Sequence, residues 1–137
     1  MRTVTTVANV TGKASLRGQS MGAYLTLVRT PSVLDRRLAF TAVWEYCVPP
    51  EHVREFEALY GPEGAWARLF GRDPAYLGTE LLVDAEEPYR YLTIDRWRSR
   101  ADFEAFREHW CAEYEALDLR CAALGMCEER VGSFVPA

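Results

Sequence analysis

The side chains best suited to moving a proton are His109, Asp95 and Glu45. His109 is one of two histidines in the chain, and imidazole is the side chain whose charge changes near neutral pH. It stands on a helical stretch beside Ala105, Ala112 and Ala116, next to an apolar stripe. Two placements follow: a neutral base facing a cleft at a sheet edge, or a half-exposed residue between Glu108 and Glu113. His52, in the first turn of a shorter helix, reads as a solvated surface residue. Asp95 and Glu45 lie in the strand-like stretches TIDRW and AVWEYC, which belong side by side at the centre of a sheet. A carboxylate is rarely buried there without a partner. Either Arg96, Arg98 or Arg130 pairs with it, or burial raises its pKa and makes it a base for a phenolic or carbon-bound proton.

Around these groups stand many aromatic residues. Trp66, Phe70, Tyr76, Tyr91 and Trp97, with Glu45, are the candidates to line a slot for a flat substrate. Trp66 and Phe70 follow the break at Gly61-Pro62 and are the pair best placed to act as a lid. Metal ligation is not expected. The four cysteines, 47, 111, 121 and 127, form no CxxC pair and no CxxC–HxxxH pattern. They read as reduced thiols used as small apolar residues.

The elements that must position these side chains follow from periodicity. LAFTAVWEYCV alternates, with Phe40, Ala42, Trp44 and Tyr46 on one face and Thr41, Val43, Glu45 and Cys47 on the other. Pro49-Pro50 ends this first strand, and EHVREFEALY continues as an amphipathic helix. After Gly61-Pro62, PEGAWARLF is a second short helical piece. YLGTELLVD is strand two, AEEP a hairpin loop, and residues 89–97 strand three. Ser99 is an N-cap, with Asp102 reaching back to it. A single long helix then carries Phe103, Trp110, Leu117 and Leu124 at a seven-residue spacing, with Phe106, Tyr114 and Cys121 beside them. Gly125 stops it, and residues 126–135 form strand four.

The order β-α-(α)-β-β-α-β predicts an α+β fold: a ferredoxin-like split β-α-β-β-α-β sandwich with sheet order 4-1-3-2 over the four strands. Two helices cover one sheet face, yet apolar residues sit on both. That excess predicts a homodimer through the sheets. Residues 1–37, rich in Thr, Val, Gly and Ser, read as an irregular N-terminal arm, and the domain spans 38–137. MGAYLTLV is the one stretch of the arm with strand composition.

Length and charge limit the rest. A chain of 137 residues, 49% apolar, can bury one sizeable core. A net charge of −4 with interspersed signs argues against nucleic acid, and no apolar run approaches a membrane span. Without an apolar leader, the expected location is the cytoplasm.

Several motifs occur in a telling order: PPEHVREFE after strand one, GAWARLF, YLGTELL, then RYLTIDRW followed by S-x-x-x-F-x-x-F. Together they resemble the antibiotic-biosynthesis monooxygenase (ABM) domain of the dimeric α/β-barrel superfamily, over residues 38–135. The resemblance implies a monooxygenase acting on a small aromatic or quinone-like molecule without metal or flavin. The alternative is a non-catalytic small-molecule-binding or structural homodimer of the same fold. In the family, cofactor-independent members use an Asn, Trp and Tyr set, and haem-degrading members use a strand-one Asn with a helical Trp and, ten residues on, a His. This chain departs from both. Its one asparagine is Asn9, and Arg120 stands ten residues after Trp110. With Phe103 aligned to the family's first helical aromatic, the haem Trp falls on Phe106 and the ligand His on Ala116. No cofactor is therefore expected, and the catalytic candidates are His109 and Asp95.

Overall fold

The computed structural model describes residues 6–11, 24–29 and 39–137. The chain divides into two compact units, residues 1–36 and 37–137. In the first, β1 (Thr6–Thr11) pairs antiparallel with β2 (Tyr24–Arg29). The segment read as an irregular arm thus contains a two-stranded sheet. Most of MGAYLTLV falls in its second strand.

The second unit runs β3 (Phe40–Cys47), a 3-10 turn (Pro50–His52), α1 (Val53–Tyr60), α2 (Ala65–Phe70), β4 (Tyr76–Val83), β5 (Arg90–Trp97), α3 (Arg100–His109), α4 (Cys111–Ala122) and β6 (Cys127–Phe134). The four strands form one antiparallel sheet in the order β4-β5-β3-β6, as the element order predicts. Phe40, Ala42 and Tyr46 of β3 and Tyr91, Thr93 and Trp97 of β5 are all buried against the helices. An aromatic cluster joins the layers. The Phe70 ring meets Trp97 at 5.4 Å and Phe106 at 5.5 Å, both edge to face.

Three local details differ from the sequence pattern. The long helix is broken at Trp110, whose φ and ψ of −104° and 28° end α3 and start α4. No Gly or Pro stands there. The Arg72 guanidinium lies over the Trp110 ring at 4.8 Å, a tertiary contact that no local pattern encodes. The β4–β5 ladder slips between Tyr76 and Gly78, with Gly78 at φ 142°, so Thr79 and Leu81 join Tyr76 on the covered face and Leu77 is left exposed. Of the four free thiols, only Cys121 is buried; Cys47, Cys111 and Cys127 are exposed and do not act as apolar filler.

The helix ends follow their sequence signals. Ser99 Oγ accepts from the Asp102 amide at 3.1 Å, and the Asp102 carboxylate takes both Arg98 Nε and Nη2 at 3.0 Å. Gly125 closes α4 at φ 66°, with nothing within 4 Å of where a Cβ would stand. Its role is therefore backbone conformation rather than close packing. Gly125→Ala should lower the unfolding free energy by about 1 kcal/mol, read as a lower urea midpoint with an unchanged m-value.

Candidate active site

Along the covered face of β5, short side chains sit between long ones: Tyr91, Thr93, Asp95, Trp97. Ala42 of β3 lies directly opposite Asp95. The short residues leave a void under the helices, a cavity of about 430 Å³. Trp44, Tyr46, Thr93 and Asp95 line its sheet side. Tyr60 of α1 and Trp66 and Phe70 of α2 form an aromatic wall. Arg107 of α3, Asp118 of α4 and Glu128 of β6, all exposed, stand with Tyr114 on the helix and edge-strand side.

Asp95 is the group with unusual chemistry. Its half-buried carboxyl accepts the Thr79 hydroxyl at 2.5 Å. Loss of hydration pushes its pKa up to about 6, against the smaller opposing effect of the Thr79 hydrogen bond. A carboxyl so poised is a base at neutral pH that can still hold a proton. Burial also raises the phenols of Tyr46, Tyr60 and Tyr114, so these line the cavity as neutral hydroxyls. Burial, with help from the Asp118 charge, raises Glu128 as well. Arg107 stacks over the Tyr114 ring at 4.7 Å and is the one cation lining the cavity among the described residues.

The other sequence candidates are dispersed. Trp66 and Phe70 do line the cavity, but both are buried in the core rather than free as a lid. Tyr76 does not line it; its hydroxyl meets Thr79 Oγ1 at 2.6 Å and so reaches Asp95 indirectly. Tyr91 donates to Glu57 Oε1 at 3.0 Å, and Trp97, 0% exposed, is interior core. Neither touches the cavity. His109 is exposed at the end of α3 with its ring edge-on to Trp110, away from the cavity lining.

Glu45 stands on the opposite face of the sheet. Arg90 grips both its oxygens, at 2.6 and 3.2 Å, and holds Asp84 at 2.8 Å. The Arg90 hydrogen bond lowers the Glu45 pKa, the reverse of what a base needs. Of the arginines considered as partners, Arg96 pairs with Glu80, Arg98 with Asp102 and Arg130 with Ser133.

Several cavity residues went unremarked in the sequence, though some left signals. Trp44 belongs with the aromatics expected to line a slot; Tyr46 and Thr93 share its strand parity with the cavity face, and Arg107 and Tyr114 are seven residues apart, on one helical side. Asp118, four residues after Tyr114, lies on the same helical side, whereas Glu128 left no signal, since its placement depends on the register of β6. Among the described residues, no three His, Cys, Asp or Glu side chains converge to hold a metal ion. No described helix is long and apolar enough to cross a membrane.

The family model described as antibiotic biosynthesis monooxygenase matches residues 39–110. The chain belongs to this family. Among solved structures, a mutant of SnoaB, a cofactor-independent oxygenase from Streptomyces nogalater, is 23% identical with a TM-score of 0.56, covering 72% of this chain and 93% of its own. A putative antibiotic biosynthesis monooxygenase from Nitrosomonas europaea is 17% identical with a TM-score of 0.55, covering 72% and 90%. A conserved protein from Methanosarcina mazei is 16% identical with a TM-score of 0.54, covering 76% and 98%. At these identities the likeness is one of fold. No curated protein sequence matches the chain. In this antibiotic biosynthesis monooxygenase family member, the cavity between sheet and helices is the candidate active site.

The Asp95 shift fixes a sign for stability. Its folded pKa of about 6 lies above the unfolded value, so ionisation between about pH 4 and 6 favours the unfolded chain and stability falls as pH rises through that window. Asp95→Asn should therefore be more stable than the parent at pH 7–8, by about 1–3 kcal/mol, with the gain vanishing near pH 4. Thermal unfolding of both proteins across pH checks this. A gain that is flat with pH would count against a buried, ionising carboxyl.

Proposed function

We propose that the protein is a monooxygenase that oxidises a small, neutral, polycyclic phenol to a quinone, with Asp95 as the general base. The observation that carries this is a carboxyl, its pKa pushed up to about 6 by burial, on the sheet side of an aromatic cavity of about 430 Å³. Three carboxyls against one guanidinium disfavour a phosphorylated or carboxylated substrate. Aromatic walls favour a flat one.

The stoichiometry needs no external reductant. Asp95 takes a proton from the phenol or its activated ring carbon, and the resulting anion is the electron donor to dioxygen. Four electrons leave the substrate. One oxygen atom becomes the new quinone carbonyl, and the other leaves as water with the two hydrogens lost from the substrate. Trp66 and Phe70 hold the ring, and the neutral hydroxyl of Tyr114 is a donor available to the developing oxyanion, while that of Tyr46 is turned toward Glu128 Oε1 at 3.5 Å.

The test is dioxygen uptake with a panel of hydroxylated naphthalenes and anthracenes, read together with mass spectrometry under ¹⁸O₂. One labelled oxygen per quinone is expected, and Asp95→Asn should slow turnover by about 100-fold or more while retaining binding. Saturable binding by the unaltered protein with no dioxygen uptake would instead favour a binding protein. That second reading is supported by the single asparagine, Asn9, lying outside the cavity-bearing unit.

We further propose that the protein acts in the cytoplasm as a homodimer through the uncovered sheet face. That face carries Leu82 and Phe134 at 46% and 51% exposure beside half-buried Val43, Leu92 and Ile94, more apolar surface than a solvated sheet usually shows. Light scattering at micromolar concentration should give about twice the 15.6 kDa chain mass. A monomer mass would remove the claim.

A further inference from the structure

Thr79 and Asp95 are cross-strand partners on β4 and β5, and the slip of the ladder at Gly78 brings Tyr76 to the same face as both. A threonine hydroxyl has one hydrogen to donate. With Asp95 ionised, it goes to Oδ1 at 2.5 Å. The 2.6 Å contact between the Tyr76 and Thr79 hydroxyls must then have Tyr76 as its donor. The result is a one-directional chain, Tyr76 to Thr79 to Asp95, of which only Asp95 lines the cavity.

We propose that Thr79 and Tyr76 are positioning residues for Asp95: the Tyr76 hydroxyl turns that of Thr79 toward Oδ1, and this grip leaves Oδ2 to receive the substrate proton. The proposal rests on Asp95 being the base. A carboxylate held at one oxygen cannot swing about its terminal torsion, so the second oxygen keeps a fixed aim. The same hydrogen bond favours the ionised form and so offsets part of the cost of burial. Without it the carboxyl would hold its proton to higher pH and be a base over a narrower range. The hydroxyls facing Asp95 are those of Tyr46 from β3, Tyr114 from α4 and Tyr76 from β4. The charged groups across the cavity are Arg107 of α3, Asp118 of α4 and Glu128 of β6. Substituting Thr79 touches none of these except the Tyr76 hydroxyl, which loses its acceptor, so a change in Asp95 titration reports on the Thr79–Tyr76 chain, and Tyr76→Phe separates the two hydroxyls.

The experiment is a carbon-13 NMR titration of the full chain labelled at aspartate carboxyls, with the Asp95 signal assigned through Asp95→Asn. Thr79→Val keeps the side-chain shape and removes the donor. It should raise the Asp95 midpoint by about one pH unit, a tenfold change in its ionisation constant. Thr79→Ser should restore most of the difference, and Tyr76→Phe should move the midpoint in the same direction by less. With a turned-over phenol, the acid limb of kcat/KM should move with the NMR midpoint while KM stays within about twofold. An Asp95 midpoint in Thr79→Val that coincides with the parent, or a folded Thr79→Ser that fails to restore it, overturns the proposal. The two levels separate cleanly. An unmoved midpoint with an inactive Asp95→Asn sinks the positioning role alone, whereas an Asp95→Asn that keeps full turnover sinks the base and the positioning role together.

Discussion

A carboxyl on the covered side of a central strand is held against the cost of taking its charge out of water, and the site is built around that cost. Burial alone would keep such a group protonated well above the usual carboxylate range. A paired guanidinium would do the reverse and leave it too weak a base. Asp95 is given neither extreme. Its bonded partner is a neutral hydroxyl, and the cation that shares its cavity, Arg107, lies over the Tyr114 ring. The opposite regime is visible next door. Glu45, on the adjacent strand but the other sheet face, is gripped through both oxygens by Arg90 and titrates low. Two carboxylates of similar intrinsic acidity are thus driven apart by which side of one sheet they occupy.

That division also explains which parts of the molecule were legible beforehand. Strand alternation and helical spacing are local signals, and they yielded the element order, the sheet order and the caps at Ser99 and Gly125. Parity alone separates Glu45 from Phe40, Ala42, Trp44 and Tyr46, and so already keeps it off the cavity face. Grouping Glu45 with the aromatic slot weighed residue type above parity. The slip at Gly78 could not be read locally, because a glycine in a strand marks either a bulge or a close approach. It decides that Thr79 rather than Gly78 faces Asp95. The break at Trp110 falls where Arg72, from a distant loop, lies over the indole, with no Gly or Pro to mark it in the sequence. His109 has the chemistry of a base, yet it lies one residue before that break, where the helix turns and the flank is open to solvent.

Why the domain has a cavity there at all follows from side-chain length. Close packing fills most of the space between sheet and helices, so a half-open cavity of about 430 Å³ between them needs a reason. On the covered sheet face, Ala42, Thr93 and Asp95 form a patch of short residues, with Trp44 and Tyr46 beside it in the cavity wall and Phe40, Tyr91 and Trp97 packed in the core beyond. The helices above carry rings large enough to rest on the tall boundary residues but not to fill the gap between them. Phe70 is wedged by Trp97 and Phe106, and Trp66 meets Tyr114 edge to face at 4.9 Å. The rings therefore brace one another above the sheet. Lengthening the short residues would fill the space and gain burial, and shortening the tall ones would let the helices settle onto the sheet. The polar members of the short patch, Thr93 and Asp95, would be poor choices if the space were meant only for packing, since each brings a group that must be satisfied. Their presence beneath interlocked rings is what marks the space as a candidate site rather than a packing defect.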